Sequence, residues 1–301
     1  MLQQYNTQND NLLIYINGRL LPRQEAKISV FDSAVQGGDA VWEGIRVYNG
    51  RIFSLDRHLE RLQNSAHALD FKGVPDNAFI TEAIFQTLRA NNMRDGVHIR
   101  LTLTRGLKVT SGMDPRLNQF GPTLIVLAEW KPPVYPPEIS LITSSVRRNT
   151  PMCLDSKIHH NNLINNILAK IEANYAGADA GIMLDKDGFV SEANGVNLFC
   201  IRNGVVYTPH ADSCLPGITR AKVIEICQKA GIPIQEKHLS LTEFYIADEV
   251  FTTGTMGELT KVTSIDGRSI RNVANSRILE EISSHFRLLT QKEGTPIPEW
   301  D

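Results

Sequence analysis

The stretch "LDSKIHHNN", residues 154–162, sets one lysine, two adjacent histidines and two adjacent asparagines directly before an apolar-periodic segment. Such a run can be a solvated loop, a metal site or the home of a reactive amine, and each assignment needs partners elsewhere in the chain. Adjacent side chains point to opposite faces of a strand and diverge by roughly 100° on a helix, so His159 and His160 make poor joint metal ligands. Packing at a helix start or an interface is expected for both, and no metal. Lys157 stays open until the other groups are placed.

A chain of 301 residues is long for one core and natural for two domains. The net formal charge is −2, with acids and bases interspersed, so no nucleic-acid surface is expected and the partners should be small molecules. The opening "MLQQYNTQND" has neither the basic nor the apolar run of a signal peptide, and no apolar stretch reaches membrane-spanning length. Cys153, Cys200, Cys214 and Cys227 are widely spaced without a CxxC pair, which suits reduced thiols in a cytoplasmic protein.

"YINGRLL" and "RVYNGRIF" each place an Asn-Gly pair between apolar or β-branched runs, the signal of a type I′ hairpin. Ser54 is placed to cap a helix through about residue 69, and a second helix is expected over roughly 79–91. "VHIRLTLTR" alternates like a half-buried strand, and "TLIVLAEW" reads as a more fully buried one. "KPPVYPPEIS", residues 131–140, holds four prolines and reads as a stiff connector. The expected organisation is therefore a smaller N-terminal domain over 1–130, a linker over 131–140 and a larger C-terminal domain over 141–301. In the C-terminal part, Leu163, Ile164, Ile167, Leu168 and Ile171 form one helical face. Four short strands follow, then the helix "ITRAKVIEICQKAGI", a capping box in "SLTE" and a strand in "DEVFTTG".

Three motifs could carry chemistry, and each alone is weak. In "LPGITR", Gly217 precedes a helix whose first amides, at Ile218 and Thr219, lack intrahelical acceptors and favour an anion. "TTGTMGEL" ends a strand in a turn containing Gly254 and Thr255, with close backbone approach and hydroxyls on offer. "VSEANGVNLFC" puts Glu192 at a strand end, where burial would require a cationic or donor partner.

Taken in order, Lys157, Glu192 in "SEANGVNLF", "LPGITR" and "TTGTMGEL" resemble the signature of class IV aminotransferases, the fold-type IV pyridoxal-phosphate (PLP) enzymes. The resemblance extends from the first hairpin to about residue 265. It implies an α/β (α+β) fold of two domains, the larger a mixed α/β barrel-like cofactor domain, and a homodimer. It also implies that Lys157 forms the internal Schiff base and carries the α-proton. Glu192 would pair with the pyridine nitrogen, helping the ring take up electrons. Gly217, Ile218, Thr219, Gly254 and Thr255 would hold the phosphate, joined by Arg61 of the pattern "HLER". The substrates implied are an amino donor and a keto-acid acceptor.

Within that group, "GGDAVWEGIRVYNG" resembles the branched-chain enzymes more than the D-amino acid ones, chiefly through Glu43-Gly44-Ile45-Arg46, and Trp42 corresponds to a pocket aromatic. His98 and Arg100 share one strand face, and Arg100 corresponds to an arginine beside the substrate carboxylate. Met256 would supply an apolar wall. The chain departs from that pattern at Asn162, Gly37 and His98, where tyrosines are usual. "DPRLNQF" resembles the carboxylate-binding loop of D-amino acid enzymes, with Arg116 as its arginine. The implied reaction is transamination from an L-branched-chain amino acid to a 2-oxo acid such as 2-oxoglutarate. D-amino acid or (R)-amine transamination, an aminodeoxychorismate lyase and a non-catalytic PLP-binding protein are the alternatives.

Overall fold

The computed structural model describes residues 3–271 and 277–300. The chain forms two compact units. The first comprises Gln3–Pro132, Ile158–Asn162 and the segment from Thr290, and the second comprises Pro133–Lys157 and Leu163–Leu289. The chain thus leaves the second unit immediately after Lys157 and returns to it at Leu163.

In the first unit, β1 (Leu13–Ile16) and β2 (Arg19–Pro22) precede a one-turn helix, α1 (Ser33–Gly37). Then come β3 (Ala40–Tyr48), β4 (Arg51–Ile52), α2 (Leu55–Ala68), α3 (Asn77–Ala90), β5 (Val97–Thr104) and β6 (Thr123–Trp130). The β1–β2 and β3–β4 hairpins turn on Asn17-Gly18 and Asn49-Gly50. All four residues have positive φ (44°, 84°, 48° and 72°), as a type I′ turn requires. Strands β3, β5 and β6 form the antiparallel centre of the sheet, with β1 beside β6. Val41, Ile45 and Val47 of β3 pack with Leu59 and Leu62 of α2 in the core beneath it.

Two local expectations change. Ser54 occupies the N-cap position of α2, but its backbone is left-handed (φ 52°, ψ 34°) and its hydroxyl makes no cap bond. A side-chain cap needs the extended backbone that aims the oxygen at the first free amides. The strands also exchange characters: β5 is buried along almost its whole length, whereas β6 alternates. Pairing with β3 and β6 throughout makes β5 the central strand, and its second face carries His98 and Arg100 rather than meeting solvent.

The second unit contains β7 (Glu138–Thr143), α4 (Ile164–Tyr175), β8 (Ala180–Leu184), β9 (Val190–Ala193), β10 (Asn197–Arg202) and β11 (Val205–Pro209). It continues with α5 (Ile218–Ala230), β12 (Ile234–Lys237), α6 (Leu241–Tyr245), β13 (Glu249–Gly254), β14 (Glu258–Ile265), β15 (Arg268–Ser269) and α7 (Ile278–Lys292). The prolines of the "KPPVYPPEIS" stretch all precede β7, so the chain enters a strand while still inside it. The sheet is mixed, in the order β12, β11, β10, β13, β14, β7, β8, β9, with β15 beside β14. Strand β9 at one edge curls back against β10, and the Ala193 N–H donates to Val196 O at 2.9 Å. A short final strand, β16 (Thr295–Pro296), pairs with β4 in the first unit's sheet.

The molecule is therefore an α/β protein whose second unit is barrel-like. Helix α4 faces inward with Ala169 and Ala173 and leaves Ile164, Ile167, Leu168 and Ile171 exposed. Among the described residues no helix is long and apolar enough to cross a membrane.

Candidate active site

In the second unit, one loop receives Lys157 and two residues of the stretch around Glu192. Lys157 Nζ donates to Asp212 O at 3.2 Å, Ser191 Oγ to Ser213 O at 2.9 Å and Asn197 Nδ2 to Leu215 O at 2.9 Å. Ser191 is the neighbour of Glu192 on β9, and Leu215 lies just before the start of α5. Residues 212–217 thus join the lysine, the strand bearing the buried acid and the start of a helix. Lys157 Nζ also meets Asp155 Oδ1 at 3.2 Å.

Glu192 is buried, and a carboxylate there must be compensated. Arg148 Nε donates to Oε1 at 2.6 Å and Asn197 Nδ2 to Oε2 at 3.2 Å. Burial pushes the Glu192 carboxyl above its ordinary value, against the pull of the Arg148 guanidinium. A backbone hydrogen bond at Leu215 also favours the charged form.

Gly217 caps α5 without a side chain. A Cβ there would stand 2.1 Å from Asn197 Oδ1, so only glycine lets the helix start this close to the side chain that also holds Glu192. Thr253 lies directly opposite Asn197 across the β10–β13 pair, and its buried hydroxyl has no partner among the described residues. Thr255 and Met256 form the turn after β13, where Met256 O accepts the Val134 N–H at 2.8 Å. Gly254 is tight, with a virtual Cβ 3.0 Å from Val196 Cγ1. A buried acid, an uncapped helix start and an orphaned hydroxyl converge within one unit. That donor set fits a ligand with a basic ring nitrogen and an anionic group.

The remaining predicted residues lie in the first unit. The even positions of β3 and β5 share a face. There the Arg100 guanidinium lies 3.4 Å from the Trp42 ring centroid and donates to Asn161 Oδ1 at 2.8 Å. Burial lowers Arg100 to about 10, which leaves it a cation at neutral pH. Arg46 donates to Lys131 O at 2.5 Å and pairs in register with His98. His98 is buried, burial being the first cause that brings it to about 3, and neither ring nitrogen has a hydrogen-bond partner among the described residues. Arg116 does not join this face: its guanidinium is exposed and held by Asp114 on the same turn.

Glu43 lies on the opposite, apolar face of β3, fully buried. Its Oε2 meets His58 Nδ1 at 2.6 Å and Arg61 Nη2 at 2.7 Å, and its Oε1 meets Arg61 Nε at 2.8 Å and His159 Nδ1 at 3.1 Å. Burial alone would raise the Glu43 carboxyl, but His159 and Arg61 hold it well below the usual range. Burial lowers His58 and takes His159 to about 4. Arg61 alone then balances the Glu43 charge, with both imidazoles neutral donors.

The sequence assigns no role to His58, Arg148, Asn161 or Asn197, and marks Glu43 only as part of the motif Glu43-Gly44-Ile45-Arg46. A signal existed for Glu43, an acid in register with Val41, Ile45 and Val47. Arg148 and Asn197 carried none, because only the folded sheet brings them to Glu192. His159 and His160 bridge to β3 and take no part in a metal cluster among the described residues.

Residues 40–265 match the model of the amino-transferase class IV family, and the chain belongs to it. Branched-chain-amino-acid aminotransferase-like protein 2 of Arabidopsis thaliana is 56% identical over 293 residues, 97% of this chain but 52% of that protein. The chain thus spans about half the length of that relative. A putative branched-chain-amino-acid aminotransferase of Methanocaldococcus jannaschii is 41% identical over 287 residues, covering 94% of this chain and 98% of that one. The structure of a T.th. branched-chain amino acid aminotransferase, complexed with N-(5'-phosphopyridoxyl)-L-glutamate, superposes with a TM-score of 0.86 at 35% identity. That match covers 93% of this chain and 94% of that one.

The Glu43 cluster predicts acid sensitivity. His159 binds its proton near pH 4 when folded and near 6.5 when unfolded, so the unfolded state gains a proton first as pH falls and stability is lost across that window. Below about 4.5 the unfolded chain also protonates Glu43 before the folded one does, so the loss continues. Each group contributes a slope of up to about 1.4 kcal/mol per pH unit. Thermal melts from pH 7 to 4 should show Tm falling throughout, with a shallower fall between 6.5 and 4 in His159→Asn. An unchanged slope in that variant rules His159 out as its source.

Proposed function

We propose that the chain is a PLP-dependent aminotransferase that moves an amino group from an L-branched-chain amino acid to a 2-oxo acid such as 2-oxoglutarate. The observation that carries this reading is the loop 212–217, which ties Lys157, the Glu192 strand and the start of α5 together. The phosphopyridoxyl-glutamate in the T.th. enzyme's complex supports the cofactor and the acidic substrate pair.

PLP, when bound, supplies a ring that accepts the charge released as the substrate's α-proton leaves. Lys157 Nζ takes and returns that proton. Glu192, held by Arg148 and Asn197, would accept a hydrogen bond from the ring nitrogen, and a proton on that nitrogen would offset the cost of burying the acid. The Ile218 and Thr219 amides would hold the phosphate with Gly217, Gly254 and Thr255, and the resemblance assigns Arg61 to the same anion. Trp42 and Met256 offer apolar surface to an aliphatic side chain, Arg100 serves as carboxylate partner, and Arg46 and His98 set the polarity beside it.

A homodimer fits the exposed stripe of α4. Ile164, Ile167, Leu168, Ile171 and Tyr175 are 42–91% exposed along one face, a continuous apolar surface of the kind that marks interfaces. The four cysteines are free, which suits a cytoplasmic location.

Borohydride reduction of the holoenzyme should fix the cofactor on the peptide containing Lys157, and Lys157→Ala should abolish transamination. A label on Lys170 instead would sink the assignment. In a donor screen, L-leucine and L-valine should outpace D-alanine and (R)-1-phenylethylamine. A D-alanine rate far above that of L-leucine, lost in Arg116→Ala, would establish the D-amino acid reading in its place. Sedimentation should find a dimer that Ile167→Asp combined with Ile171→Asp dissociates; an active wild-type monomer would refute the dimer.

A further inference from the structure

Resting on the aminotransferase reading, we propose that Glu43 is a positioning residue for two functional groups at once: the Arg61 guanidinium and the peptide that follows Lys157.

Glu43 is the one acid among the core-facing residues of β3, in line with Val41, Ile45 and Val47. Burying a charge in such a place lowers stability unless it is paired, and replacing a buried ion pair with packed apolar groups is often neutral or favourable. Core packing alone therefore gives no reason for an acid here. Its contacts do. Arg61 clamps it through Nε at 2.8 Å and Nη2 at 2.7 Å, a bidentate geometry that fixes the guanidinium plane. His58, one turn earlier on α2, donates to the same carboxylate at 2.6 Å and holds it from the helix side.

The fourth donor comes from the segment after the lysine. His159 Nδ1 reaches Glu43 Oε1 at 3.1 Å while its ring lies against Trp42, with centroids 4.1 Å apart. The same segment is stitched to β3 by Trp42 N–H to His159 O at 2.9 Å and Asn161 N–H to Ala40 O at 2.8 Å. It is tied to α2 by the His159 N–H to Ser65 Oγ at 3.1 Å. Two residues of extended chain span at most roughly 7 Å, so an anchor at His159 confines the Lys157 backbone to that radius. One carboxylate thus holds both the Arg61 guanidinium and the segment that follows Lys157.

The test compares PLP with pyridoxal, which lacks the phosphate, as ligands of the apo-protein. Dissociation constants are measured by tryptophan fluorescence for wild type, Glu43→Gln, Glu43→Asp, Arg61→Gln and the Glu43→Gln/Arg61→Gln double variant. Loss of Arg61 alignment should cut the PLP preference by roughly tenfold in Glu43→Gln, the size of one lost hydrogen bond to a charged group. The double variant should be little worse than Arg61→Gln alone. Glu43→Asp, which keeps the charge, should recover part of the preference. Glu43→Gln should also slow the capture of PLP by Lys157, read as borohydride-fixed label against time. General loosening of the fold would weaken both ligands alike, so an unchanged preference, or additive effects in the double variant, overturns the proposal. Should Glu43→Gln fail to fold, Glu43→Asp decides alone: a smaller fall in preference supports the proposal and none overturns it. A wild type that neither prefers PLP nor takes label at Lys157 removes the aminotransferase reading and the proposal with it.

Discussion

The burial of the Glu192 carboxylate is the constraint around which the second unit is organised. An ion taken out of water costs several kcal/mol unless partners replace its hydration. Arg148 supplies the charge and Asn197 supplies a second donor. Because Asn197 also bonds Leu215 O and crowds Gly217, satisfying the acid fixes where α5 begins. The helix start, with its unpaired amides, is therefore placed by the same side chain that steadies the carboxylate.

The first unit solves a similar problem differently. Glu43 is buried on an apolar face with Arg61 as its single full charge, and two neutral imidazoles complete its shell. The opposite face of β3 carries Trp42 and Arg46, beside Arg100 and His98 of β5. One strand thus presents an ion cluster to one side and a polar, aromatic surface to the other, which period-two alternation permits within nine residues.

Local chemistry was readable wherever it depends on neighbours in sequence. The Asn-Gly hairpins, the Pro-rich stretch, the glycine before α5 and the ordered motifs around Lys157, Glu192 and Thr255 all announce themselves within a few residues. The cap at Ser54 failed because a side chain's reach depends on a backbone angle that the residue type does not specify. The burial of β5 and the alternation of β6 were interchanged because strand order, not composition, decides which faces are covered.

By itself the sequence determined the elements, the identity of the reactive lysine and acid as candidates, and the family to which they point. The tertiary structure decided who compensates the buried charges: Arg148 and Asn197 for Glu192, and His58, Arg61 and His159 for Glu43. It also decided that the apolar stripe of α4 turns outward while small alanines face in. Partners separated by tens of residues leave no periodic trace in sequence. Compensation of a buried charge depends on distances of about 3 Å, and only the folded chain sets those.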